Sequence, residues 1–406
     1  MLLLLACAPT ADLLVLEGSG FGHYPVQAAY SEPVEGVLVG GLPAYDVSSD
    51  GAEVHFTVQG GAGLAEVILL TQEGEVSAGD FEYLPPADPL FDRMTGIGAS
   101  LTMGVQDGVP HPHAQRMSPG AQIARQAGAF YGIPLLVDGL FPTIEVEHLG
   151  PPPECKSPSV PVHVTNAVVE VLGKLNDENG DFHYSLGRQD PDLIPRNAAV
   201  GGFYIDMLTE GTDDFAEGFL GHLVLDPYGD MNGSIPFSQV DHVLGLDPTL
   251  VLSFDTFGND LIGAVVLARQ IELKNITPQE DFEEAVVKLL EQLGASDAQV
   301  FLSNSPRPGL LPAGRWLVET DDDPEAAQAL LDEADAIAAT YNAILHEEAD
   351  LYDNVYIVDG WALAESLNDE GLLVDGQTLD VRRFGGLLSL DGVHFTDVGY
   401  AAFANL

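Results

Sequence analysis

Thr249-Leu-Val-Leu-Ser253 opens the stretch that decides the fold, and Val355-Tyr-Ile-Val-Asp359 closes it. Between them lies Gln299-Val-Phe-Leu-Ser303, a third short apolar run, flanked by Ser and Asn. Runs of this kind read as strands buried on both faces. Helical patterns separate them, one over Gln279 to Leu293 and a longer one over Pro324 to Asp350. The longer pattern opens on Asp323 as N-cap, with Pro324 at the first helical position. Strands alternating with long helices predict a parallel sheet covered on both faces, a three-layer α/β/α domain over residues 92–406.

Toward the N-terminus the texture is all-β. Leu13-Leu-Val-Leu-Glu17, Gly36-Val-Leu-Val39, Glu53-Val-His-Phe-Thr-Val58 and Ala65-Glu-Val-Ile-Leu-Leu70 are strand-like runs separated by Gly, Pro, Asp and Ser. Their spacing predicts a small β-sandwich over residues 11–85. The proline-rich Leu84-Pro-Pro-Ala-Asp-Pro89 places a linker at 86–91, and residues 105–195 read as loop-like. Glu17-Gly-Ser-Gly-Phe-Gly22, Gly40-Gly-Leu-Pro-Ala44 and the closing Gly79-Asp-Phe-Glu-Tyr83 resemble the IPT/TIG module, which implies an immunoglobulin-like sandwich.

At 406 residues the chain exceeds one average domain. Charge is the compositional outlier: 63 acidic residues against 14 basic give −49. A field of that sign repels nucleic acid and anionic membrane surfaces, which removes both from the expected partners. Salt screens such self-repulsion, so a high-salt habitat and an ordinary acidic extracellular surface both fit.

Met1 to Ala6 is apolar and leads into Cys7, followed by Ala8 and Pro9. Leu4-Leu5-Ala6-Cys7 resembles the lipobox of bacterial lipoproteins. That resemblance implies a signal region over 1–10, acylation at Cys7, and export to a bacterial outer membrane or cell surface. The apolar run is short and no Lys or Arg precedes it, unlike a full secretory signal. With Cys7 lipidated, Cys155 stands alone, which excludes a disulfide framework and a Cys-based zinc site.

Acyl transfer by a serine needs a hydroxyl, a base in reach, an orienter for the base, and donors for the oxyanion. Four separated segments supply these parts. Gly96-Ile-Gly-Ala-Ser-Leu-Thr-Met-Gly104 sets Ser100 in a Gly-rich turn where a helix can begin. Asn197-Ala-Ala-Val-Gly-Gly202 offers a backbone N–H in a tight turn, from Gly202 or the adjacent Gly201. Phe257-Gly-Asn-Asp260 offers the Asn259 amide at the C-terminal end of a buried strand, where α/β sites form. Ser389-Leu-Asp-Gly-Val-His394 puts Asp391 three residues before His394.

In this order the segments resemble blocks I, II, III and V of the GDSL/SGNH hydrolases, as do Leu246-Asp-Pro-Thr-Leu-Val-Leu, Ile276-Thr-Pro and Gly385-Gly-Leu-Leu-Ser-Leu. The resemblance covers about three quarters of the chain. It implies a flavodoxin-like SGNH fold, a Ser100–His394–Asp391 triad, and an oxyanion hole from the Ser100 and Gly202 N–H groups and the Asn259 amide. It departs from the family at Ala99, where an Asp is usual, at Phe395, where a Pro is common, and in the short segment after Thr396 that must brace the His394 loop.

The implied activity is that of a lipid-anchored serine esterase or lipase on a small-molecule, lipid or glycan ester. No cofactor or metal is required. Glycan O-deacetylation and a catalytically decayed surface binding protein are the alternatives. His111-Pro-His113 lacks zinc-site spacing and a third ligand and reads as solvated loop. Asp321-Asp-Asp323 reads as capping of the next helix.

Overall fold

The computed structural model describes residues 11–141, 171–211, 215–229, 238–266, 271–382 and 384–405. Cys7 and Cys155 lie outside them. The chain divides into two compact units, residues 1–94 with 124–132, and residues 95–123 with 133–406.

In the first unit, alternating burial writes strands, and the strands form two sheets. One sheet orders Asp12–Leu13, Pro25–Ala29, Glu53–Thr57 and Tyr45–Ser49; the other orders Glu17–Ser19, Gly74–Leu84, Gly63–Thr71, Gly36–Val39 and Leu42–Pro43. In Glu53–Thr57 only Val54 and Phe56 are fully buried, the period-two pattern of a half-buried strand. Inward side chains of both sheets, among them Val26, Phe56, Val67, Leu69 and Phe81, make one cluster. The run Leu13–Glu17, expected as one strand, is split: Asp12–Leu13 pairs in the first sheet and Glu17–Ser19 in the second. The intervening residues cross from one sheet to the other, so the ladder pairing is broken between them.

The second unit is mixed α/β. Its sheet orders Met94–Gly96, Leu250–Ser253, Gln299–Ser303 and Val355–Val358. The last three pair in parallel, Leu250 with Gln299 and Val300 with Val355. Outside Met94–Gly96, Asn197 forms a parallel bridge to Gly96. Read in chain order, the line is therefore second, first, third, fourth, fifth. Leu250–Ser253 is buried at every residue, as a central parallel strand must be. Val355–Val358 exposes Tyr356, as an edge strand does.

The two expected helices form at Gln279–Gly294 and Pro324–Ala349, the latter capped by Asp323 Oδ1 accepting from Ala326 N. Phe282 of the first stacks on Tyr341 of the second at 4.0 Å, and Phe257 meets Phe282 edge-on at 5.0 Å. Each such buried ring contributes roughly 1.5–3 kcal/mol through removal from water. No helix among the described residues is long and apolar enough to cross a membrane.

The described part of 105–195 is not loop throughout. Val105–Gln106 and Val109–Pro110 form a hairpin, and helices follow at Pro112–Arg116 and Pro119–Ala127. His111 caps the first of these helices through Nδ1, and His113 Nε2 lies 2.8 Å from Asp397 Oδ2. The pair read as solvated histidines thus works locally, and their side chains have protein partners. The segment after Thr396, expected to be too short for support, completes the helix Asp397–Ala404 with Thr396 as its cap.

Candidate active site

Where the strand Met94–Gly96 ends, the chain turns through Gly98 and Ala99 into the short helix Ser100–Met103. Gly98 has φ +129°, and a Cβ there would lie 2.8 Å from Asp255 Oδ1, Ser253 Oγ and Thr102 Oγ1. Only glycine tolerates both the dihedral and that approach. Asp255, on the turn after Leu250–Ser253, accepts hydrogen bonds from Ala99 N at 3.0 Å, Thr102 N at 3.2 Å and Thr102 Oγ1 at 2.6 Å, and from Leu101 N. Its carboxylate thus holds the residues on both sides of Ser100. Burial pushes Asp255 up in pKa, against the pull of those donors. Ser100 itself is buried.

The Gly201–Gly202 turn is tied to the same place. Val200 N donates to Gly98 O at 3.1 Å, and Asn197 Nδ2 to Thr102 O at 2.9 Å. Gly201 N points at Met103 Sδ, 3.4 Å away. Gly202 has φ +91°, with nothing within 4 Å of where a Cβ would stand, so that side of its backbone is open. Asn259, the second residue of the helix Gly258–Val266, donates from Nδ2 to Phe203 O at 2.8 Å. Asp260 beneath it accepts from Ile205 N at 3.0 Å and Thr277 Oγ1 at 2.7 Å. Burial pushes Asp260 up to about 7. Gly202 and Asn259 are therefore fixed to one another through residues 203–205.

His394 sits on a loop closed by a bridge between Leu388 and Phe395. Asp391 Oδ2 lies 2.6 Å from His394 Nδ1, while Oδ1 accepts from Val393 N and His394 N, each at 2.9 Å, and from Ser389 Oγ at 3.0 Å. Burial opposes ionisation of Asp391, but the His394 charge and these donors outweigh it and hold the carboxyl well below the usual range. For His394, burial disfavours the imidazolium, and the charges of Asp391, then Asp255 and Asp107, outweigh it and raise its pKa. Asp255 thus holds the Ser100 turn and is one of the charges that raise the His394 pKa. No hydrogen bond joins Ser100 Oγ to His394 among the described residues; such contacts often tighten only with substrate bound.

The His394 loop is locked to the hairpin that follows Ser100. Asp107 Oδ1 accepts from Leu390 N at 2.8 Å, and Asp107 N donates to Ser389 Oγ at 3.1 Å. From the C-terminal helix, Tyr400 Oη donates to Val105 O, while Phe395 packs edge-on against the Tyr400 ring at 5.8 Å. Phe395 is therefore a packing residue, buried against the helix that braces the loop. Sequence reading had not singled out Asp255, Asp107 or Tyr400. For Asp255 the local signal is only its place, two residues after an apolar strand and four before Asn259; the donors it serves lie far off in the chain. Among the described residues no group of three or more His, Cys, Asp or Glu could hold a metal ion.

No family model and no curated protein matches the chain. Among solved structures it is similar to the salicylyl-acyltransferase SsfX3 from a tetracycline biosynthetic pathway, at 14% identity and a TM-score of 0.34, over 98% of this chain and 76% of that one. A likeness so distant carries no assignment. The GDSL/SGNH and IPT/TIG resemblances drawn from the motifs are corrected accordingly: with no family model matching, the chain is placed in neither family, and the sites stand on their own geometry.

Proposed function

We propose that this chain is a serine hydrolase of carboxylic esters, with Ser100 as nucleophile, His394 as base and Asp391 as the group that orients and charges the base. The observation that carries the reading is the Asp391–His394 contact at 2.6 Å, with Asp255 holding the turn of Ser100. The C-terminal ends of the sheet's second, first and third strands support it, since such a switch point is where open α/β sheets bind ligands. Covering of the parallel sheet on both faces, as a three-layer domain, belongs to the same reading.

In the proposed reaction Ser100 Oγ attacks the ester carbonyl as His394 Nε2 takes its proton. The proton then passes to the departing alcohol, leaving an acyl-serine, and water repeats the sequence to release the acid. Asp391, fixed to Nδ1, keeps the tautomer in which Nε2 is free to accept. The oxyanion is received by the Ser100 and Gly202 N–H groups and the second hydrogen of the Asn259 amide. Gly202 is preferred over Gly201 because the Gly201 N–H is aimed at Met103 Sδ. Export and anchoring through Cys7 complete the proposal, and Cys7→Ser is expected to release the protein from membranes.

Turnover of 4-nitrophenyl acetate and longer 4-nitrophenyl esters tests the reading. Hydrolysis lost to similar extents in Ser100→Ala and His394→Ala is expected, because triad members act as a unit. A purified chain that turns over none of these esters, or a His394→Ala variant with full activity, contradicts it.

A further inference from the structure

We propose that Asp255 is a positioning residue for this centre: its buried carboxylate fixes the turn that carries Ser100 and, when ionised, favours the His394 imidazolium. The inference rests on Ser100, His394 and Asp391 forming one catalytic unit.

The first half follows from hydrogen bonding. Asp255 is 8% exposed, and four donors converge on it, all from residues 99–102. A buried carboxylate is costly unless its oxygens are satisfied. Three of the donors are N–H groups at the start of a helix, where no helical acceptor exists. An N–H can only donate, so these donors favour the ionised acid and oppose the rise in pKa that burial gives it. Gly98 fits so closely beneath the carboxylate that a methyl group there would meet Oδ1 at 2.8 Å. Without the carboxylate, nothing else described holds Ala99 N or Leu101 N.

The second half is electrostatic. Three acids favour the charged form of His394: Asp391 in its own loop at 2.6 Å, Asp255 in the turn after Leu250–Ser253, and Asp107 in the Val105–Pro110 hairpin. Asp255 and Asp391 also act on Tyr400, whose phenol is held protonated by burial. During catalysis the imidazolium forms in the field of these acids. A negative Asp255 favours that cation, so its loss lowers the pKa of His394. Neutral His394 then persists to lower pH, and the acidic limb of kcat/KM moves to lower pH. A residue that only supported the fold would reduce the rate and leave the limb in place.

The test uses the full chain with 4-nitrophenyl acetate. Asp255→Asn is expected to lower kcat on the order of 100-fold through misplacement of Ser100, with the acidic limb displaced to lower pH. The His394 imidazole, followed by NMR titration, should move the same way. An unmoved limb and titration in a folded Asp255→Asn variant overturn the proposal. Thr102→Val removes one donor and no charge. It should slow fluorophosphonate labelling of Ser100 without displacing the limb, and labelling at the wild-type rate would overturn the clamp even if Asp255→Asn does not fold. Wild-type protein inert to both ester and probe sinks the catalytic reading and this inference with it. Wild-type turnover with an unmoved limb sinks this inference alone.

Discussion

Asp260 lies beneath Asn259, the residue proposed to receive the oxyanion, and its carboxyl should be a liability to stability at neutral pH. Burial carries it from 3.8 to about 7, despite hydrogen bonds from Thr277 and Ile205. At about 1.4 kcal/mol for each tenfold change, that displacement amounts to roughly 4 kcal/mol as a ceiling. The sign follows from proton linkage. The unfolded chain releases this proton at the ordinary carboxyl value, whereas the folded chain keeps it until about pH 7. Between those values the folded state binds more protons, so its stability falls as pH rises through the window. Asp260→Asn keeps an oxygen for Ile205 N and turns its amide toward Thr277 Oγ1, with no charge to bury. The variant should match wild type near pH 4 and exceed it above pH 7 by about 2 kcal/mol or more. Denaturant titrations at pH 5 and pH 8 would measure the difference. Asp322→Asn, at an exposed position, would control for the removal of one charge from a strongly acidic chain. A gain that is the same at both pH values, or no larger than the control, refutes the reasoning.

Asn259→Ala should lower kcat by about 100-fold with little change in KM, because an oxyanion contact forms mainly in the transition state; a pure KM effect would make Asn259 a substrate-binding residue. At −49, the chain should gain melting temperature from low salt to 1 M NaCl, as the screening length falls from about 10 Å at 0.1 M to about 3 Å. A non-ionic osmolyte at equal osmolality should give less, and a flat or falling melting temperature would remove self-repulsion as a limit on stability.

Elements fixed by local chemistry were legible in the sequence. Asp323-Pro324 marks a helix start because a cap and a preset φ suffice to define one, and the helix begins there. Thr249–Ser253 reads as a buried strand because an unbroken apolar run has no polar face to turn outward. Asp391 and His394, three residues apart, could only meet within one loop, and they do. The hairpin at 105–110 went unread although Asp107-Gly108 is the turn signal for one. Its arms are two residues each, too short for a period-two pattern. Asp255 and Asp107 were missed for a different reason. Their roles arise from donors 153 and 283 positions away in the chain, and no local pattern encodes such pairing. The family resemblance does not carry over, because no family model matches the chain and short motifs in a given order do not by themselves establish descent.

The central claim is that Ser100 is a nucleophile activated by His394. Treatment of the intact chain with a fluorophosphonate probe, followed by peptide mass spectrometry, tests it most directly. The account predicts one adduct, on Ser100, absent from Ser100→Ala and strongly reduced in His394→Ala. An adduct on a different serine, or none in protein that hydrolyses esters, would contradict it.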